Sequence, residues 1–163
     1  MRAESSEQFE EWFRRLRPAA RRSVTLLLHD PDDVDDACAE AFTRAYLRWP
    51  RVSLLPYRDA WLLRVAINLA LDQLKRKKTA PAAVGVSQDP SVADRVDIGR
   101  AVGALPRRQR QVVALRFLGD MPERDVAQAL GLSVNTVKRH TSRALASLRG
   151  DLRAMWEESL DAN

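Results

Sequence analysis

The chain is 163 residues long, 45% hydrophobic and 30% charged, an ordinary globular composition with room for one medium domain or two small ones. No apolar run approaches the roughly 20 residues of a membrane span and Met1-Arg2-Ala3-Glu4-Ser5-Ser6 holds no signal-peptide core, so no membrane insertion and a cytoplasmic location are expected; the single cysteine, Cys38, excludes an intrachain disulfide and a thiolate metal cluster. The net charge of +5 hides a pattern: 7 Lys/Arg against 10 Asp/Glu over residues 1–45, 8 against 2 over 46–80 and 11 against 5 over 97–153, which makes two basic blocks of the kind that neutralise phosphate.

The chain reads as helical from the start. Phe9, Trp12, Phe13 and Leu16, then Val24, Leu27 and Leu28, recur at helical spacing, with Pro18 as an interruption or an N-terminal position. Asp30-Pro31-Asp32-Asp33 combines a break with a helix cap. The next helix is predicted from about Asp32 to Trp49, ended by Pro50, with Val34, Cys38, Ala41, Phe42, Ala45 and Trp49 turned inward. Cys38 therefore reads as a packing residue. Asp32, Asp36 and Glu40 stand at i, i+4 and i+8, one acidic stripe opposite that apolar one. The helix dipole favours the first-turn charges but not Glu40, so the stripe points to a basic docking partner.

Residues 50–58 form a two-proline loop, and a long apolar helix is predicted from about Asp59 to Lys77. Its polar stripe is narrow: Arg64, Asn68, Asp72, then Lys75-Arg76. Tyr57, Arg58, Trp61 and Arg64 mix aromatic and cationic groups where that helix begins, a mixture that stacks unpaired bases and neutralises their backbone. The same aromatics would also serve to seal a small core. Residues 79–96 lose the periodicity and gather Pro, Gly, Ser and Ala, the composition of a linker. Helices resume at about 97–104, and Pro106 opens an Arg-rich helix to Leu118. With no alternating strand pattern, the expected architecture is all-α: two small helical domains, residues 1–78 and 97–163, on a flexible linker over 79–96.

The sharpest local signal follows. Pro122 opens a short amphipathic helix, Glu123 to Leu130; Gly131 supplies a residue free to take positive φ; Leu132 plugs the turn and Ser133 caps the next helix. That helix, Val134 to about Arg149, puts Val134, Val137, Thr141, Ala144, Leu145 and Leu148 on one face and Asn135, Lys138, Arg139, Ser142 and Arg143 on the other. This is a helix-turn-helix whose second helix is shaped for a DNA major groove. Catalytic chemistry finds no foothold: His29 and His140 are isolated, and no phosphate-cradling loop, nucleophile elbow or carboxylate pair occurs. No catalysis, no metal and no cofactor are expected.

In combination these motifs resemble the extracytoplasmic-function branch of the sigma-70 family, over about residues 9–78 (its region two) and 97–153 (its region four). Asp32 to Phe42 resembles the segment that grips the β′ coiled coil of RNA polymerase, which implies core-polymerase contacts from Asp32, Asp35, Asp36 and Glu40. Trp61 to Asp72 resembles the helix carrying −10 promoter contacts, and the loop before it, about Arg51 to Tyr57, the place where a flipped −10 base is captured. The implied −10 set is Arg51, Tyr57, Arg58, Trp61, Arg64, Asn68, Lys75 and Arg76. Leu105-Pro106 through Leu148 resembles the −35-reading domain, with Ser133, Asn135, Thr136, Lys138, Arg139, Ser142 and Arg143 toward DNA.

The implied partners are core RNA polymerase (its β′ coiled coil and β flap), promoter DNA and an anti-sigma factor. Ala39 stands where the family usually has Gln, Pro122 where a Ser/Thr cap is common, Asn135 where Gly is usual, and the −10 loop lacks the usual glycine. Ser133 to His140 is also similar to LuxR-type regulators, which supplies the alternative of a stand-alone helix-turn-helix regulator with a sensing or dimerising first domain. Such a domain would need the alternating βα patterning that residues 1–78 lack.

Overall fold

Helix α1 (Arg2–Thr25) places Trp12, Leu16, Ala20 and Val24 on one buried stripe, the i, i+4 repeat of a helix with one face to a core. The computed structural model describes residues 2–79 and 98–161, and no strand occurs among them. Pro18 lies inside α1 rather than interrupting it. It sits on the exposed side, where water can serve the carbonyl that its missing N–H leaves free, while core contacts on both flanks hold the helix.

Helix α2 (Pro31–Leu47) begins as its sequence requires. Asp30 accepts a hydrogen bond from the Asp32 N–H at 2.9 Å, and Pro31 stands in the first turn. The helix stops at Leu47, short of the expected Trp49. Trp49–Val52 is a separate short helix, α3, and Pro50 lies in its first turn. Proline opens a helix here rather than ending one, because first-turn N–H groups have no helical acceptor to lose. Helix α4 (Arg58–Thr79) completes the bundle, burying Leu62, Leu63, Ala66, Ile67 and Ala70.

An aromatic knot ties these helices together. The Trp12 ring lies 5.1 Å from Trp49 and 5.8 Å from Phe42, and Phe13 meets Phe42 edge-on at 4.7 Å. Such pairs are worth about 0.5–1.5 kcal/mol each beyond the area they bury.

The linker expected over 79–96 lies, apart from Thr79, outside the described residues. Helix α5 occupies 98–104, and α6 (Arg107–Val113) starts after Pro106. The Arg-rich helix does reach Leu118, but its last turn, Ala114–Leu118, widens to π geometry: the Gly119 N–H reaches back five residues to the Ala114 carbonyl at 2.9 Å. A Cβ at Gly119 would sit 2.8 Å from the Leu115 carbonyl oxygen, so the widened turn needs glycine. Asp120 then takes a positive φ of 49°, which Asp tolerates better than most residues.

Helices α7 (Glu123–Leu130) and α8 (Val134–Asp161) follow, and α8 runs well past the expected end near Arg149. Val112, Leu115, Val126, Val137 and Ala144 form one continuous apolar cluster with the α1–α2–α4 bundle. The two helical groups thus pack against each other.

Candidate nucleic-acid interface

Backbone chemistry builds the turn between α7 and α8. Gly131 adopts φ 65° and ψ 37°, the left-handed conformation that lets the chain leave a helix end. The Leu132 N–H then reaches the Ala127 carbonyl at 2.9 Å. Ser133 Oγ accepts from the Thr136 N–H at 3.1 Å and lies 2.8 Å from the Thr136 hydroxyl, satisfying a first-turn donor of α8. Arg116 braces the approach by donating to the Met121 carbonyl at 2.5 Å.

Helix α8 meets the core through Val137 and Ala144, both fully buried, with Thr141, Leu145 and Leu148 half-buried beside them. Val134, expected on that stripe, is the first residue of α8 and is 38% exposed. Asn135, Lys138, Arg139, Ser142 and Arg143 are all exposed together on the opposite face, with Ser133 exposed and Thr136 half-buried at its N-terminal end. Lys138 Nζ approaches Glu123 only to 4.0 Å, a surface pair too weak to hold it from another anion.

The second set lies on α4 and the loop before it. Arg51, Lys75 and Arg76 are exposed; Tyr57, Arg58, Trp61, Arg64 and Asn68 are half-buried. Arg58 Nη1 donates to the Ser53 carbonyl at 3.1 Å, which braces the loop, and Trp61 packs partly against the core. Arg64 Nη1 donates to the Ala129 carbonyl of α7 at 2.7 Å. A cleft of about 450 Å³ opens along Ser53 to Ala60, with Arg15 and Asp125 at its edge.

Beneath that loop is a tie that spacing and periodicity did not predict. Asp59 Oδ1 accepts from the Trp12 indole N–H at 2.6 Å, and Arg15 reaches both carboxylate oxygens at 2.9 and 3.0 Å. Burial pushes the Asp59 pKa up, but the Arg15 and Trp12 hydrogen bonds and the nearby Arg15 and Arg58 charges outweigh it and hold the carboxyl below the usual range. These partners lie 44 and 47 residues apart in sequence, beyond the reach of any local pattern.

Asp32, Asp35, Asp36 and Glu40 are all exposed on α2, with Asp36 and Glu40 lining a cleft shared with Arg76 of α4. Asp35 pairs with Arg21, and Glu40 accepts from Arg44 Nε at 2.7 Å. Asp33, beside them, pairs with Lys77 and joins α2 to α4. Basic neighbours therefore relieve part of the like-charge repulsion that the stripe implied.

Residues 12–79 match the family description "Sigma-70 region 2" and residues 95–148 match "Sigma-70, region 4". The RNA polymerase sigma-E factor of Streptomyces avermitilis is 36% identical over 152 residues, spanning 89% of this chain and 85% of that protein. The ECF RNA polymerase sigma factor SigM of Mycobacterium tuberculosis is 31% identical over 147 residues, spanning 86% and 74%.

The chain belongs to the extracytoplasmic-function branch of the sigma-70 family.

The fold of this sigma factor is similar to that of RpoE in the co-crystal structure with the anti-sigma factor NepR from Bartonella quintana, with a TM-score of 0.63 at 21% identity over 90% of this chain and 98% of that one. It is also similar to CnrH in complex with the cytosolic domain of CnrY, at 0.66 and 24% over 91% and 90%. A LuxR-type regulator would share the helix-turn-helix alone. Here region two occupies the place of the sensing domain, so that alternative is set aside.

Proposed function

We propose that this sigma factor docks on core RNA polymerase through the exposed acids of α2, Asp32, Asp35, Asp36 and Glu40, and positions the enzyme on promoters. Asn135, Lys138, Arg139, Ser142 and Arg143, with Ser133 and Thr136 at the helix start, read the −35 duplex from the major groove. Arg51, Tyr57, Arg58, Trp61, Arg64, Asn68, Lys75 and Arg76 hold the opened −10 strand by stacking and phosphate contacts. Residues 1–78 and 97–163 act as two domains, the second also meeting the β flap. The role is recognition rather than catalysis, performed in the cytoplasm; no helix among the described residues is long and apolar enough to cross a membrane. An anti-sigma factor holds the protein in reserve, as the anti-sigma complex of its structural relative RpoE suggests.

One observation carries the reading: a single chain presents a cationic, amide-bearing face on α8 and an aromatic-cationic face on α4, each backed by buried apolar residues. Duplex and single-strand recognition need those two chemistries. The test is copurification with core RNA polymerase followed by transcription in vitro from a promoter library. A chain that neither binds core nor directs initiation would overturn it.

A further inference from the structure

Three arginines from three helices come to one cleft. Arg44 of α2, Arg64 of α4 and Arg107 of α6 line a space of about 270 Å³, together with the side-chain amides of Asn68 and Gln111. Two of the guanidiniums are held in place by only part of their donor sets. Arg44 gives Nε to Glu40 at 2.7 Å, and Arg64 gives Nη1 to the Ala129 carbonyl at 2.7 Å, so each keeps further N–H groups for a ligand. Arg107 is exposed at the first position of α6. Gln111 is only 8% exposed; its carbonyl oxygen accepts from Arg108 Nη1 at 3.3 Å, which leaves the amide NH2 for the cleft. Acceptors are scarce by comparison. Among the described residues Asp72 is the one carboxylate in the lining, and with Glu40 also counted against Arg44 the cleft stays cationic and rich in donors. Like charges gathered this way repel one another, and an anion between them turns that repulsion into attraction.

We propose that this cleft binds a phosphate or diphosphate group, inorganic or carried at the end of a nucleotide. Guanidinium forks take the oxygens of such a group two at a time, and the two amides supply neutral N–H donors to the oxygens that remain. A carboxylate ligand, with two oxygens, would leave most of these donors unserved. Size limits the ligand further: about 270 Å³ falls just under the roughly 300 Å³ at which pockets for whole organic ligands begin, so a nucleoside attached to the phosphates stays outside. Region two supplies Arg44, Arg64 and Asn68, and region four supplies Arg107 and Gln111. One consequence rests on the promoter-strand role proposed for α4. Because Arg64 and Asn68 serve both ligands, a bound phosphate group competes with the −10 strand.

Calorimetric titration of the intact chain with sodium pyrophosphate, inorganic phosphate and GDP, at constant ionic strength, tests the site. Pyrophosphate should bind saturably at one per chain and raise the Tm; tighter binding of GDP would point to a nucleotide tail, tighter binding of pyrophosphate to the inorganic anion. Arg107→Ala should weaken pyrophosphate binding about tenfold or more, the loss expected for a hydrogen bond to a charged group, with the Tm of the unliganded chain unchanged because Arg107 is exposed. Asp72→Asn should tighten binding. Arg124→Ala, which removes the same charge from an exposed position of α7 outside the cleft, should leave it unchanged. Pyrophosphate should also displace a single-stranded −10 oligonucleotide, and less readily from Arg107→Ala.

Absence of saturable binding, binding of GDP alone among the three, or equal weakening by Arg107→Ala and Arg124→Ala would each overturn the site, the last by reducing it to diffuse attraction to net charge. Binding that depends on Arg107 but does not compete with the oligonucleotide would keep the site and instead remove Arg64 and Asn68 from the strand, so the two failures are told apart.

Discussion

Asp59 is the residue on which the α1–α4 junction turns, and its loss can be worked from contacts. Trp12 is 3% exposed and gives its indole N–H to Asp59 at 2.6 Å. Asp59→Ala leaves that donor buried without a partner, which costs about 1–3 kcal/mol. The Arg15 pair adds less, because the Arg15 side chain is 56% exposed and the Asp59 side chain 32%; screened pairs of this kind contribute about 0.2–1 kcal/mol. The expected total is about 1–4 kcal/mol, a drop in Tm of roughly 2–16 °C for a chain of this length.

The pH dependence carries a definite sign. The folded carboxyl titrates below its unfolded value, which is about 3.9. Its stabilisation is therefore present above that value and lost as pH falls through the lower folded one. Thermal unfolding followed by circular dichroism from pH 7 downward should show a gap between native and Asp59→Ala proteins that is constant to about pH 5 and narrows below about pH 4. A variant that melts with the native protein at pH 7, or a gap that widens as acid is added, would refute the role assigned to Asp59.

Other outcomes follow from the surfaces. Lys138→Ala and Arg139→Ala should each weaken binding to a −35 duplex in a salt titration, and whichever contacts only phosphate should lower the salt slope by about one unit without altering sequence preference; unchanged affinity in both would remove α8 from the groove. Asp36→Lys with Glu40→Lys should weaken core-polymerase binding measured by pull-down, with helicity and melting nearly intact since both side chains face solvent; normal binding would free this face of its docking role. Tyr57→Ala should cut transcription from a fully paired promoter, with part of the loss recovered on a template carrying a pre-melted −10 bubble, since stacking is worth about 1–3 kcal/mol per base. Equal loss on both templates would argue against a part in strand opening.

The helix-turn-helix was legible in the sequence because its rules are local. Gly131, Leu132 and Ser133 each serve a backbone group within five residues, and the inward repeat of Val137 and Ala144 needs only helical spacing. Boundaries set by proline were less legible, since Pro18 and Pro50 are placed by packing: Pro18 survives mid-helix because its side of α1 faces water, and Pro50 begins a turn that Trp49 anchors in the core. The widened turn at Ala114–Leu118 left a trace only in Gly119, whose requirement comes from the Leu115 carbonyl above it. What could not be read at all was long-range: the Trp12–Asp59–Arg15 tie and the Arg64 bond to Ala129 join residues 44 to 65 positions apart. No periodicity encodes such partners, and they decide which of the sequence's candidate DNA contacts are open and which are engaged.

Helix α7 shows how a departure from family habit and an inter-half contact are one problem. It is eight residues long, too short for propensity to hold it alone. Pro122 makes no side-chain cap at its start, where Ser or Thr is common. Instead the Pro122 carbonyl takes the Asp125 and Val126 N–H groups at 3.0 and 3.1 Å, and Glu123 and Asp125 set negative charge against the positive end of the dipole. At the other end the chain leaves through Gly131, and the Arg64 cation caps the Ala129 carbonyl from the first half of the protein. A single 2.7 Å bond between residues 65 positions apart thus closes the end of a helix whose own sequence offers no side-chain cap at its start.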